Sequence, residues 1–244
     1  MDTMGFIRDY VEAFGTCTPL PVAFWHSDEP VAEPETVNGC FFPVFERLRK
    51  GVSVSFDAVT MKCGGGKFYC GLAPMPDYVP TFVSEKEHYK ATPQLVKDFV
   101  ESLDIQVNGH RYLNFQTIDR IGGREDYYGV LILASPDVLS GLVSWACYDN
   151  TIPDAVCTPW GSGCSSTLRA VMNENAAHGQ RCFIGLFDPS VRPRVRAGEL
   201  MFGIPKSRLD KMVTFIRETC LFNGLAWPKV RDRINAGTVA NETL

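Results

Sequence analysis

Gly39-Cys40-Phe41-Phe42, continuing through Leu48 and Gly51 to Cys63-Gly64-Gly65-Gly66, is the stretch on which the reading of the fold turns. A glycine-cysteine pair opens an amphipathic helix with Phe41, Val44, Phe45 and Leu48 on one face, and Gly51 closes it. Val52 to Met61 then alternates through Val52, Val54, Phe56 and Ala58, which predicts a strand leading to a second cysteine followed by glycines. The plan returns at Gly163-Cys164-Ser165-Ser166, through Val171, His178 and Gly179, to Cys182 with Gly185 shortly after. If the copies are a duplication, a pseudo-twofold axis brings two cysteine pairs together.

The flanking segments extend the pattern. Pro19 to Trp25 is expected as a short buried strand and Ser27 to Val37 as a loop rich in proline and acids. Thr92-Pro93 caps and starts a helix with Leu95, Val96, Phe99 and Leu103 on its apolar face. In the second half, Val130 to Leu133 is a strand, Pro136 to Cys147 a helix and Arg181 to Phe187 a strand. Pro205-Lys206 then opens a helix burying Leu209, Met212, Val213 and Ile216. This order predicts an α+β fold (or α/β), with a mixed sheet covered by helices. It is read as a single compact domain over 1–244, with half-repeats at 19–104 and 127–220. The amino terminus is an amphipathic helix through Met4, Ile7, Val11 and Phe14, and residues 221 to 244 are expected to end loosely ordered.

A chain of 244 residues with 45% apolar composition can bury a full core. Its net charge of −4 and lack of a basic stripe argue against nucleic acid as a partner. Arg192, Arg194 and Arg196 stand in a proline-broken segment read as a solvated loop, with a small anion as the alternative. No run reaches the roughly 18 apolar residues of a membrane span, and the amino terminus lacks the pattern of a secretory signal. A cytoplasmic protein is expected. Nine cysteines, an odd number, argue against a closed set of disulfides and for thiols, some of them available to a metal.

Thiolates are favoured at helix starts, the positions held by Cys40 and Cys164, and beside amides exposed by glycine, as at Cys63. Cys182, with Gly185 behind it, repeats that arrangement more weakly. Cys40, Cys63, Cys164 and Cys182 are therefore the candidate metal ligands, with Gly64, Gly65, Gly66 and Gly163 forming the backbone around the site. Cys70 and Cys157 are alternatives for a chosen ligand, and Cys17, Cys147 and Cys220 read as small packing residues. The four histidines, His26, His88, His110 and His178, are isolated, though His26 stands at a strand end where it could support a cofactor. No nucleophile elbow on a strand, Walker A loop or dinucleotide fingerprint occurs. Asp57, Asp119 and Asp188 are carboxylates without a diagnostic partner.

The same cysteines, together with Gly198-Glu199-Leu200-Met201-Phe202-Gly203-Ile204-Pro205, resemble the domain of unknown function 169 family over roughly Pro19 to Arg217. The resemblance implies that the recurring cysteines are those at Cys40, Cys63, Cys164 and Cys182. It implies no activity.

Cysteine-only ligation suits a four-iron four-sulfur (4Fe-4S) cluster or a tetrahedral zinc (Zn) ion. The cluster is preferred because glycine-rich amides stabilise an anionic core and Phe41, Phe42, Phe68 and Phe183 would supply an apolar shell. The expected role is electron transfer or redox sensing with a redox partner protein. Rival readings are a structural zinc protein, a small-ligand-binding protein, or an enzyme using Cys164 as nucleophile.

Overall fold

A computed structural model describes residues 2–237. In chain order the helices are α1 (Thr3–Phe14), α2 (Phe45–Leu48), α3 (Gly64–Tyr69), α4 (Val79–Thr81), α5 (Pro93–Ser102), α6 (Pro136–Ala146), α7 (Ala170–Ala176), α8 (Lys206–Phe215), α9 (Cys220–Asn223) and α10 (Trp227–Gly237). The strands are β1 (Val22–Ser27), β2 (Val54–Phe56), β3 (Tyr112–Thr117), β4 (Gly129–Ala134), β5 (Val156–Cys157), β6 (Cys182–Gly185) and β7 (Leu200–Pro205). They form one mixed sheet in the order β2-β3-β1-β4-β7-β6-β5, antiparallel except where β5 runs parallel to β6. The fold is α+β. No helix among the described residues is long and apolar enough to cross a membrane.

Strand alternation divides the core between the two faces of this sheet. Val22 and Phe24 of β1 and Leu131 and Leu133 of β4 point to one side, where they meet Phe41, Phe42, Phe45 and the α3, α5 and α7 segments. Ala23 and Trp25, with Val130 and Ile132, point to the other, against α1, α6, α8, α9 and α10. The strand order is also symmetric about the β1–β4 pair: β3 and β7 flank it, and β2 and β6 lie beyond them. The cysteines do not share that symmetry, since Cys63 lies well past β2 whereas Cys182 is the first residue of β6.

Local chemistry accounts for the helix starts. Thr92 accepts a hydrogen bond from the Leu95 amide, with Pro93 in the first turn, and Ser135 does the same for Val138 ahead of Pro136. α1 is helical as expected, but it buries Phe6, Tyr10, Ala13 and Phe14 while Met4 is 73% exposed. Those four residues form a helical stripe of their own, and its larger aromatic surface takes the core-facing side. The strand expected from Val52 to Met61 is shorter, covering Val54 to Phe56. Asp57 ends it by accepting bonds from the Val59 and Thr60 amides in a turn. The glycines after Cys63 form α3 instead of a loop.

The carboxyl-terminal segment is helical through α9 and α10, and Trp227 is buried with its indole N–H donating to the Ala13 carbonyl at 2.8 Å. The loose order expected toward the end of residues 221 to 244 is thus not found as far as Gly237, and residues 238–244 lie outside the described residues.

Candidate functional site

On the face shared by α3, α5 and α7 lies a cavity of about 410 Å³. Cys40, Cys63 and Cys164 line it, as do Gly64, Gly65, Gly66 and Gly163. Cys40 precedes a 3₁₀ turn over Phe42–Val44, and the Phe42 amide donates to its sulfur. Cys63 caps α3: its Sγ accepts from the Gly66 amide at 3.3 Å. Gly64 is small for a local reason, since a Cβ there would stand 2.6 Å from the Tyr78 hydroxyl at the cavity rim.

Cys164 opens a π-helical turn, Cys164–Arg169, that leads into α7. A second π turn, Phe82–Lys86, borders the same cavity through Phe82 and Val83. Such turns interrupt regular helical hydrogen bonding and occur frequently at functional sites. The Cys164 segment rests on bare backbone. A Cβ at Gly185 would meet Thr167 Cγ2 at 2.3 Å, and Cβ atoms at Gly129 and Gly203 would meet Val171 at 2.7 and 2.6 Å. Three glycines on β4, β6 and β7 thus let this helix sit against the sheet.

The thiols perturb one another. Cys164 is pushed well above the ordinary thiol value, first by its hydrogen bond to Cys70, then by burial, then by the charges of Cys70, Cys63 and Cys40. Cys40 is raised by burial, with Cys63 and Asp188 adding to the effect and the Phe42 amide and Arg194 opposing it. Cys70 is fully buried, and its thiol is the largest influence on Cys164. The four thiols thus come from three segments, Cys63 and Cys70 capping the two ends of α3, and the other three act together on Cys164. Among the described residues, no three His, Cys, Asp or Glu side chains are placed to hold a single metal ion.

Cys182 is not in this group. As the first residue of β6 it points to the opposite face of the sheet, fully buried among α8 residues, with Sγ 3.9 Å from Met212 Sδ. Burial pushes its thiol far up. Its neighbour Phe183 faces the cavity side, as strand alternation requires. Cys157 bonds the Asp154 carbonyl, and neither it nor Cys182 lines the cavity. Cys17, Cys147 and Cys220, expected to be packed, are exposed.

The cavity walls are aromatic: Phe42, Tyr69, Tyr78, Phe82, Phe99 and Trp160. Trp160 meets Phe99 edge-on at 5.1 Å, and Lys90 lies 4.2 Å over the indole. Asp188, Glu87, Lys62 and Arg194 are the charged lining, and burial together with Asp188 raises the Glu87 carboxyl. Of the arginine loop, Arg192 clamps backbone carbonyls and Arg196 pairs with Glu46, leaving Arg194 as the member that faces the cavity. His26 does not reach the cavity: its Nδ1 bonds the Tyr128 hydroxyl at 2.9 Å beneath Cys70. Asp119 and Asp57 also lie outside the cavity lining.

A protein-family model matches residues 16–214. No curated protein and no solved structure matches the chain.

Proposed function

The chain belongs to the domain of unknown function 169 family, described as uncharacterised ArCR, and from that premise we propose that the cavity is the seat of a four-iron four-sulfur cluster used for electron transfer or redox sensing. Cys40, Cys63 and Cys164 would hold it from the cavity side, with Cys70 as the fourth thiolate. One observation carries this reading: three thiols, Cys40, Cys63 and Cys164, line a single largely apolar cavity, and Cys70, at the other end of α3 from Cys63, acts electrostatically on Cys164. Cys40 and Cys164, whose thiols are raised above the ordinary value, would give up their protons to a bound cation, which is the proton-linked behaviour of a thiolate metal site.

The donor chemistry also favours a cluster over one zinc ion. A four-iron core holds its thiolates at the corners of a wider tetrahedron than a single ion does, which suits ligands drawn from separate segments. The π turn at Cys164 and the amide donated to Cys63 supply the backbone polarity that stabilises an anionic core. All nine cysteines are free, in keeping with a reducing compartment such as the cytoplasm. The aromatic rim at Tyr78, Phe82 and Trp160, each more than two-fifths exposed, offers a redox partner an apolar contact above the thiols.

The test is anaerobic purification followed by iron, sulfide and zinc analysis and an absorption spectrum. Near-equal iron and sulfide, lost in Cys63→Ala and Cys70→Ala but kept in Cys182→Ala, is the expected result. Stoichiometric zinc, or equal iron retention in all three variants, defeats the proposal.

The electrostatic coupling of Cys70 to Cys164 favours a second reading, a dithiol centre. Oxidation would join the two sulfurs and pass two protons and two electrons to an external acceptor. Iron-free protein carrying a Cys70–Cys164 disulfide, found by mass spectrometry, would select it.

A further inference from the structure

Arg169, with helical φ and ψ at the start of α7, begins a stripe along that helix. Arg169, Met172, Asn173 and Ala176 follow the i, i+3, i+4, i+7 spacing that puts side chains on one face, and all four line a second cavity of about 610 Å³. Tyr128 and the segment between α5 and β3, including Leu103, Val107 and Asn108, supply further lining. None of these residues lines the thiol cavity.

The walls are tied together by their own hydrogen bonds. Asn173 Nδ2 donates to the Leu103 carbonyl at 2.9 Å, the Asn108 backbone N–H to the Gly71 carbonyl at 2.7 Å, and Asn108 Nδ2 to the Tyr128 hydroxyl at 3.0 Å. Arg169 is the exception among the polar lining. It is 6% exposed, its Nε donates to the Tyr69 carbonyl at 2.9 Å, and its Nη2 is buried without a hydrogen-bond partner. A Cβ at Gly71 would stand 3.1 Å from that Nη2 and 3.2 Å from the Gln106 carbonyl, which sets Nη2 beside the Gln106–Asn108 wall.

Other inward-facing arginines are met by carboxylates. Arg208 bonds both oxygens of Asp149, and Arg49 bonds both oxygens of Glu199 at 3.0 and 2.7 Å. Among the described residues Arg169 has no such ion pair. Asp104, the one carboxylate in the lining, is exposed and accepts from Gln106. A guanidinium taken this far out of water is costly unless an anion meets it.

We infer that this second cavity binds a small organic monocarboxylate, its charge on Arg169 and its apolar chain against Leu103, Val107 and Met172. The planar fork of a guanidinium matches the two oxygens of a carboxylate. A doubly charged phosphate fits less well, because the lining offers one cation and already holds the Asp104 carboxylate. The volume falls within the roughly 300–1,000 Å³ of small-molecule sites, which join an apolar lining to a few placed polar groups. The inference stands apart from the cluster reading, since the two cavities share no lining residue.

The test is an NMR titration of the nitrogen-15-labelled full chain at constant ionic strength with sodium butyrate, with butyramide, which has the same shape without the charge, and with inorganic phosphate. Butyrate is expected to give saturable shifts in Leu103 to Asn108, in α7 and at the Arg169 Nε–H, and the other two probes none. Butyrate affinity should fall by about tenfold or more in Arg169→Met. Ala176→Trp changes an exposed residue on the same face and leaves Arg169 in place, so it should weaken butyrate similarly by filling the cavity, and it carries the test if Arg169→Met does not fold. Shifts that do not saturate, an equal response to butyramide, or wild-type affinity in either variant overturns the inference. Phosphate binding tighter than butyrate overturns the choice of a carboxylate.

Discussion

Replacing Gly163 by alanine sets two opposed effects against each other at the start of the Cys164 segment. Gly163 has helical φ and ψ of −49° and −39°, so alanine is conformationally welcome there and should gain about 0.5–1 kcal/mol through the unfolded chain. Its Cβ, however, would stand 2.7 Å from Phe42 Cε2 and 2.8 Å from Leu186 Cδ2. Both neighbours are core residues, at 1% and 0% exposure, so neither ring nor methyl can swing into solvent. Overpacking of this kind costs about 1–3 kcal/mol, which makes the steric effect the larger. The net expectation is a loss of about 1–2 kcal/mol, or a melting temperature lower by roughly 3–8 °C. Urea titration of Gly163→Ala, Phe42→Leu and the double variant measures it. The double variant should be more stable than additivity allows, by about 0.5 kcal/mol or more, because a leucine in place of the Phe42 ring relieves the clash. Wild-type stability in Gly163→Ala, or strict additivity in the pair, would refute the steric account.

Three further outcomes are expected. His26 is buried and its pKa falls from 6.5 to about 4, chiefly through burial, with Arg169 and His110 adding. The unfolded chain takes up this proton first, so its roughly 3 kcal/mol of stabilisation is complete above about pH 6.5 and is lost as pH falls through about 4; in His26→Asn, urea titrations should show that part of the acid sensitivity gone. Asp149 is held below the usual carboxylate range, first by its hydrogen bond to Arg208, and Asp149→Ala leaves that fully buried cation unpaired. A loss of about 3–5 kcal/mol by denaturant titration is expected, and one below about 1 kcal/mol would contradict the pairing. Finally, iodoacetamide at neutral pH followed by mass spectrometry should modify Cys17, Cys147 and Cys220 quickly and Cys182 only after unfolding.

Features set by neighbours in sequence are readable in advance. Thr92-Pro93 marks its helix because cap and first-turn proline are local devices, and Val130 to Leu133 reads as a strand because it is apolar on both faces. β3 escapes such a reading: Asn114, fully buried, interrupts its apolar run, and its side-chain amide donates to Ser27 and Glu29 and accepts from Val31 and Ser55, all far away in sequence. α10 escapes it for a similar reason, since Trp227 finds its place through α1. At the site, Cys40, Cys63 and Cys164 can be singled out by their glycines. Cys70, followed by Gly71, reads only as an alternative ligand, because its electrostatic pull on Cys164 depends on how α3 packs against the Cys164 turn. The place of Cys182, by contrast, is open to argument from parity alone. Cys182 and Phe183 are consecutive in a strand and cannot both face one centre, and Phe183 already belongs to the apolar shell.

The three glycines beneath the Cys164 segment bear on how a charge could come and go above them. A helix seated on side chains shifts whenever those side chains change rotamer, whereas one seated on peptide groups inherits the stiffness of the hydrogen-bonded sheet itself. Thr167 and Val171, on the helical run that Cys164 opens, are thereby seated on the backbone of β4, β6 and β7. A centre that gains an electron with little nuclear rearrangement exchanges it quickly, so this bare contact would keep the reorganisation energy low without any residue touching the electron's path.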